Sequence, residues 1–197
     1  MLNSDFEKLF ENEMNTRLGT IDLAHDISHV KRVVAIAKEM SDNMRADWNI
    51  VAPAAWLHDF VNLPKNHPER SKASLLSANE AVCFLKEINY SNKYLDQIHH
   101  AIEAHSFSAN VTPLTLEAQI VQDADRLDAL GAIGIYRLFT VSCMMKRDLK
   151  SALDHVEEKL RPITYKMNTE FAKVEANRRL KVIDEFISQL KDEKVDF

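Results

Sequence analysis

Glycine is nearly missing from this chain: there are three in 197 residues, with five prolines beside them. Tight turns and two-residue hairpins depend on glycine, so the scarcity argues against a strand-rich fold. Cysteine is scarce as well. Cys83 and Cys143 have no CxxC spacing and lie among apolar neighbours, so they read as small buried hydrophobes in a reducing compartment. No uncharged apolar run approaches the ~20 residues needed to cross a bilayer. The start MLNSDFEKLF lacks a basic segment followed by an apolar one, so no secretory signal is expected. A cytoplasmic location without membrane partners is the expectation. Positive charge is in deficit: 25 Lys and Arg stand against 30 Asp and Glu, a formal net charge of −5. That balance argues against a protein that coats nucleic acid through its overall field. A small anionic substrate stays open, because a metal and a few cations can dominate one cleft.

What the chain does contain is helical periodicity. Phe6, Leu9, Phe10 and Met14 form a first apolar stripe. Val30, Val33, Val34 and Ala37 form a second, with Asp26 or Ser28 placed to cap it. A third helix is expected from about Asn49 to His58, with Pro53 in its first turn. VNLPKNHPER reads as a loop. Leu75, Ala78, Val82 and Leu85 mark the next helix, and Leu95, Ile98 and Ile102 the one after. A long run follows Thr112-Pro113 through Asp125 toward Met145, interrupted by Gly131 and Gly134. The last helix, from about Thr169 to Leu190, carries Ala176, Leu180, Ile183, Ile187 and Leu190 on one side. The expectation is an all-α fold: one compact multi-helix domain over 1–197, with its core at about 22–190 and a frayed tail at 191–197.

The segment AAWLHD ends an apolar helix on a His–Asp doublet, His58 and Asp59. An imidazole nitrogen beside a carboxylate oxygen suits a borderline or hard divalent cation. HDISHVKRV places His29 in the first turn of an earlier helix, and QDADRLDALGAIG supplies Asp125 later. The order His, His-Asp, Asp on successive helices, with EAHSFS and MNTEFAKVEANRR, resembles the small stand-alone hydrolases of the HD superfamily from about residue 22 to 190. The resemblance implies one divalent metal held by His29, His58, Asp59 and Asp125, with Mn²⁺ favoured and Mg²⁺, Fe, Co or Ni as other occupants. Two nitrogens and two oxygens leave two octahedral positions for water and substrate, as in a catalytic rather than a structural site.

Around that set, His105 shares an inward face with Leu95, Ile98 and Ile102. It reads as a hydrogen-bonded core histidine, a proton donor to the leaving group, or a ligand for a second metal, which stays open. His99 lies near the same stripe, whereas His100 faces away toward solvent. Lys65 and Arg70, in the loop after the doublet, are candidates for gripping phosphate; His67 is undecided. Asp128 follows Asp125 at i+3 and either orients a ligand or water, or pairs with Arg126, Arg137 or a C-terminal arginine. Asp123 reads as structural, Arg178 and Arg179 as anchors of the last helix, and Gly131 and Gly134 as points of close helix approach. The catalytic group expected is His58, Asp59, His105 and Asp128.

The reaction this implies is water attack on phosphorus. By resemblance the substrate is a small phosphorylated molecule, a nucleotide first, with hydrolysis of a triphosphate to monophosphate and pyrophosphate leading. Asn62 stands where some nucleotidases of the superfamily carry glutamate, so the general base is open. A homodimer is compatible with the sequence. Two other classes fit: a non-catalytic nucleotide- or metal-sensing module, and a diiron oxygenase, for which only His105 and His99 are available as extra ligands.

Overall fold

An apolar ten-residue segment, Trp48–Leu57, forms helix α3, and every residue from Ile50 to Leu57 is buried. A helix apolar on all sides needs neighbours on all sides. In the computed structural model, which describes residues 4–18, 26–63 and 67–193, these neighbours are α1 (Ser4–Leu18), α2 (Ile27–Met44), α4 (Ala73–Glu87) and α5 (Leu95–His105). The described residues contain helices and turns and no strand. No single helix among them is long and apolar enough to cross a membrane.

Two compact units divide the chain, Met1–Ala124 and Asp125–Phe197, and the division falls inside α6 (Leu116–Asp128). In the first unit, Asp26 caps α2 by accepting from the His29 amide at 2.9 Å, and Asp47 caps α3 by accepting from the Asn49 amide at 2.9 Å. Pro53 lies inside α3 rather than in its first turn. It has no N–H for the Asn49 carbonyl four residues earlier. The Tyr90 hydroxyl donates to that carbonyl at 2.7 Å, so the missing helical bond is replaced from outside. Burial there pushes the Tyr90 phenol well above its ordinary pKa.

The second unit packs α7 (Gly131–Met144) against α10 (Glu170–Asp192), with Phe139 and Phe186 edge to face at 5.8 Å. Between them, α8 (Leu149–His155) passes through a π-helical stretch, Val156–Leu160, into α9 (Arg161–Thr164). The run through Asp125 toward Met145, expected to be interrupted at Gly131 and Gly134, is two helices. It breaks at Ala129–Leu130, where Gly131 takes φ +72, a region closed to most side-chain-bearing residues. A β-carbon on Gly134 would press against the Ala129 carbonyl, and one on Gly131 would meet Arg179 at 3.3 Å.

Several sequence expectations are corrected by amphipathic phase. Leu9 and Leu75 are exposed, and the buried edge of α4 is Ser74, Ser77, Ala78, Ala81 and Leu85. Cys83 falls two positions from both Ala81 and Leu85, on the opposite side, and is exposed; Cys143 is exposed as well. Apolar neighbours in sequence did not share its face. Lys191 and Asp192, expected in a frayed tail, continue α10, while 194–197 and the expected start of the core at 22 lie outside the described residues.

Candidate metal centre

His58 closes α3 and His105 closes α5, and the two use the same local device. Each folds its ring back so that Nδ1 meets the carbonyl three residues earlier: Ala55 at 2.8 Å for His58, Ile102 at 2.6 Å for His105. A carbonyl oxygen only accepts, so Nδ1 carries the hydrogen and Nε2 of the neutral ring presents a bare lone pair. The unsatisfied carbonyls of a helix C-terminus therefore set the tautomer that a metal ligand needs. His29 enters from the opposite polarity, in the first turn of α2, fixed through its amide by the Asp26 cap.

These rings converge. His29 Nε2 lies 3.2 Å from His58 Nε2, and both rings are buried from solvent. Asp59 Oδ2 stands 3.5 Å from His58 Nε2 and 3.8 Å from His29 Nε2. Asp59 Oδ1, on the other side of the carboxylate, is 3.8 Å from His105 Nε2. His58 packs edge-on between its neighbours, its ring centre 5.3 Å from that of His29 and 5.0 Å from that of His105.

The triangle of His29, His58 and Asp59 donors, with edges of 3.2, 3.5 and 3.8 Å, is a test of fit for a cation. Ligands ninety degrees apart on bonds of about 2.1 Å are separated by roughly 3 Å. The observed edges are slightly open versions of that spacing, and the donors are borderline nitrogen and hard oxygen. His58, Asp59 and His105 also offer ligand atoms that all lie within 4.8 Å of one another. The residues present fit a divalent metal.

Asp125 is half-buried on α6, one turn beyond Val121, and is the first residue of the second unit. Asp128 is buried and accepts from Arg137 at 2.7 Å, one of the two alternatives left open for it. Arg70 donates to the Leu63 carbonyl at 2.6 Å and to Asn62 Oδ1 at 3.3 Å, which ties it to the segment following the doublet. Lys65 lies outside the described residues. His67 accepts from the Glu69 amide at 3.1 Å.

His99 pairs with Asn79 at 3.0 Å, and His100, expected in solvent, is half-buried and accepts from the Leu114 amide at 2.9 Å. Asp123 is fully buried, and Arg179 donates to the Leu127 carbonyl at 2.7 Å, an anchor for the last helix. What sequence reasoning missed is the orienting role of the Ala55 and Ile102 carbonyls. The available signal was a histidine at the last turn of each helix.

Comparison with known proteins agrees with this geometry. The family model described as HD domain matches residues 26–130. YpgQ, an uncharacterized protein of Bacillus subtilis, is 33% identical over 174 residues, covering 84% of this chain and 82% of its own. Its crystal structure in complex with ADP superposes with a TM-score of 0.76 at 29% identity, covering 96% of this chain and 93% of that one. A solved protein of Lactobacillus plantarum gives a TM-score of 0.79 at 29% identity, with 98% of each chain covered. An HD-superfamily hydrolase from Bacillus thuringiensis gives 0.76 at 30% identity, covering 96% of this chain and 97% of its own. With a family model matched over more than half of its length, and with His29, His58, Asp59 and Asp125 all inside the match, this chain belongs to the HD-domain family of hydrolases.

Proposed function

We propose that this protein is a metal-dependent phosphohydrolase acting on a nucleotide, cleaving a triphosphate to monophosphate and pyrophosphate. The observation that carries the reading is the donor triangle of His29, His58 and Asp59, with the His58 ring oriented by the Ala55 carbonyl. Asp125 is the fourth ligand in this proposal, and Mn²⁺ is the favoured ion. When bound, the ion supplies Lewis acidity toward a phosphoryl oxygen and activates water for attack.

The chain's own residues do the rest. The α3 and α5 carbonyls hold His58 and His105 in one orientation, so little reorganisation is required when charge develops. His105 has its Nδ1 hydrogen committed to Ile102, so it exchanges a proton at Nε2, the atom facing Asp59 and the leaving group. Arg70 and Lys65 follow the doublet and hold phosphate oxygens. Asp128 acts as a positioning residue through Arg137. A nucleotide is supported by the ADP found with the YpgQ structure.

The test is release of phosphate and pyrophosphate across a nucleotide panel with Mn²⁺, comparing wild type with Asp59→Ala. The variant is expected to lose at least ~100-fold in rate together with its bound metal. Unchanged release would remove the site. Saturable nucleotide binding without turnover in the wild type would instead identify a sensing module.

A further inference from the structure

We propose that the first turn of α4 is the subsite for the outer phosphates of the substrate, with Ser74 as its hydroxyl ligand and Arg70 as its cation. The proposal rests on the phosphohydrolase reading and says where the far end of an oligophosphate is held. Its first observation is a buried hydroxyl: Ser74 is 3% exposed, and its Oγ has no hydrogen-bond partner. Native folds rarely leave such a group unmet unless a bound water, ion or ligand completes the bond. Ser74 is the second residue of a fifteen-residue helix. Helical side chains tilt toward the N-terminus, so its hydroxyl leans toward the turn that leads into α4.

That end is built for an anion. No side chain caps it, and no acidic residue occupies its first turn. The Ala73 amide bonds back to the Arg70 carbonyl, and the amides that follow it carry the positive end of the helix dipole. The turn leading into it, Arg70–Lys72, brings Arg70 and also Lys72, which is paired with Glu69 at 2.9 Å. Arg70 uses Nη1 on the Leu63 carbonyl and Asn62, which holds the guanidinium against the loop and leaves its Nε–Nη2 edge for two phosphate oxygens.

Distance to the metal centre is set by a tether. The Val61 amide donates to Ser77 Oγ at 3.0 Å, and Ser77 is one turn beyond Ser74 on the same buried edge. Asp59 to Val61 spans at most ~7 Å of chain, and Ser74 to Ser77 is about 4.5 Å along the axis. The α4 turn is therefore tied within about 15 Å of Asp59, near enough for the two places to share one extended ligand.

The experiment is calorimetric binding of inorganic tripolyphosphate and of orthophosphate to wild type, Ser74→Ala and Lys72→Glu, without added divalent metal. Ser74→Ala is expected to weaken tripolyphosphate binding about ten-fold and to raise KM for a nucleoside triphosphate with kcat nearly unchanged. Lys72 is an exposed residue whose replacement leaves the core alone, so Lys72→Glu covers the case in which Ser74→Ala fails to fold; it is expected to weaken the same binding a few-fold. Tripolyphosphate binding equal to wild type in a folded Ser74→Ala protein overturns the subsite. So does a wild type that binds tripolyphosphate no better than orthophosphate. A wild type that binds tripolyphosphate through Ser74 yet hydrolyses no phosphate bond keeps the subsite and removes the phosphohydrolase reading.

Discussion

Asp59 and Asp128 are both acids held largely out of water, and they are stabilised in opposite ways. Asp128, in the second unit, is 1% exposed and lies 2.7 Å from the Arg137 guanidinium. Asp59, in the first, stands among three imidazole nitrogens at 3.5 to 3.8 Å. An arginine carries permanent charge and compensates a carboxylate directly. Imidazole nitrogens gathered around a carboxylate form a donor set for a metal, and in the proposed reading a cation completes this cluster. In that reading the comparison separates a carboxylate that holds the fold from one that holds a ligand.

The largest test of that contrast is Asp128→Ala. Removing one partner strands a buried charge, and about 3 kcal/mol of stability should be lost, a fall of roughly 6–12 °C in Tm for a chain of this size. Bound metal per folded chain should stay as in wild type. Thermal unfolding and metal analysis on the same sample check both. Loss of metal from a folded Asp128→Ala protein would place this acid with the ligands and break the comparison. Asp59→Ala is expected to reverse the pattern, with metal and rate lost and the apo-protein Tm little altered.

How much of this was legible beforehand depends on what each residue answers to. His29 sits in a periodic helix and the doublet follows an apolar one, so their convergence followed from pattern and family resemblance together. The exposure of Cys83 and Leu75 did not, because α4 buries two serines where hydrophobicity alone selects larger residues. Pro53 was misplaced because its cost is met by Tyr90, 37 residues later, and no local rule encodes that bond. The break at Gly131 was visible as a glycine, but its left-handed backbone was not.

Tyr90 sharpens the same contrast for a neutral group. Tyr90→Phe keeps the ring against Phe6, at 4.9 Å, and removes only the hydroxyl that satisfies the Asn49 carbonyl. A buried acceptor left without its donor costs about 1–2 kcal/mol, and denaturant titration should show it with an unchanged slope. Metal content should not move, since the repaired bond lies at the start of α3 and the doublet at its end. An unaltered midpoint would mean that the carbonyl finds another donor.

The smallest effect is a pH dependence in the second unit. Hydrogen bonding from Arg178, with help from Arg179, lowers the Glu175 carboxyl from its ordinary 4.5 to about 2. A carboxyl depressed in the folded state favours folding wherever the unfolded group is ionised. Its contribution is therefore complete above about pH 4.5 and is lost as pH falls toward 2. Arg178 is largely exposed, so solvent screening limits the contribution to less than about 1 kcal/mol. Glu175→Gln should accordingly lower Tm by a degree or two at pH 7 and by nothing at pH 2. A variant that is equally destabilised at both pH values would show that Glu175 acts through packing rather than charge. It would also remove Arg179 from the ion pairs with which the second unit compensates its acids.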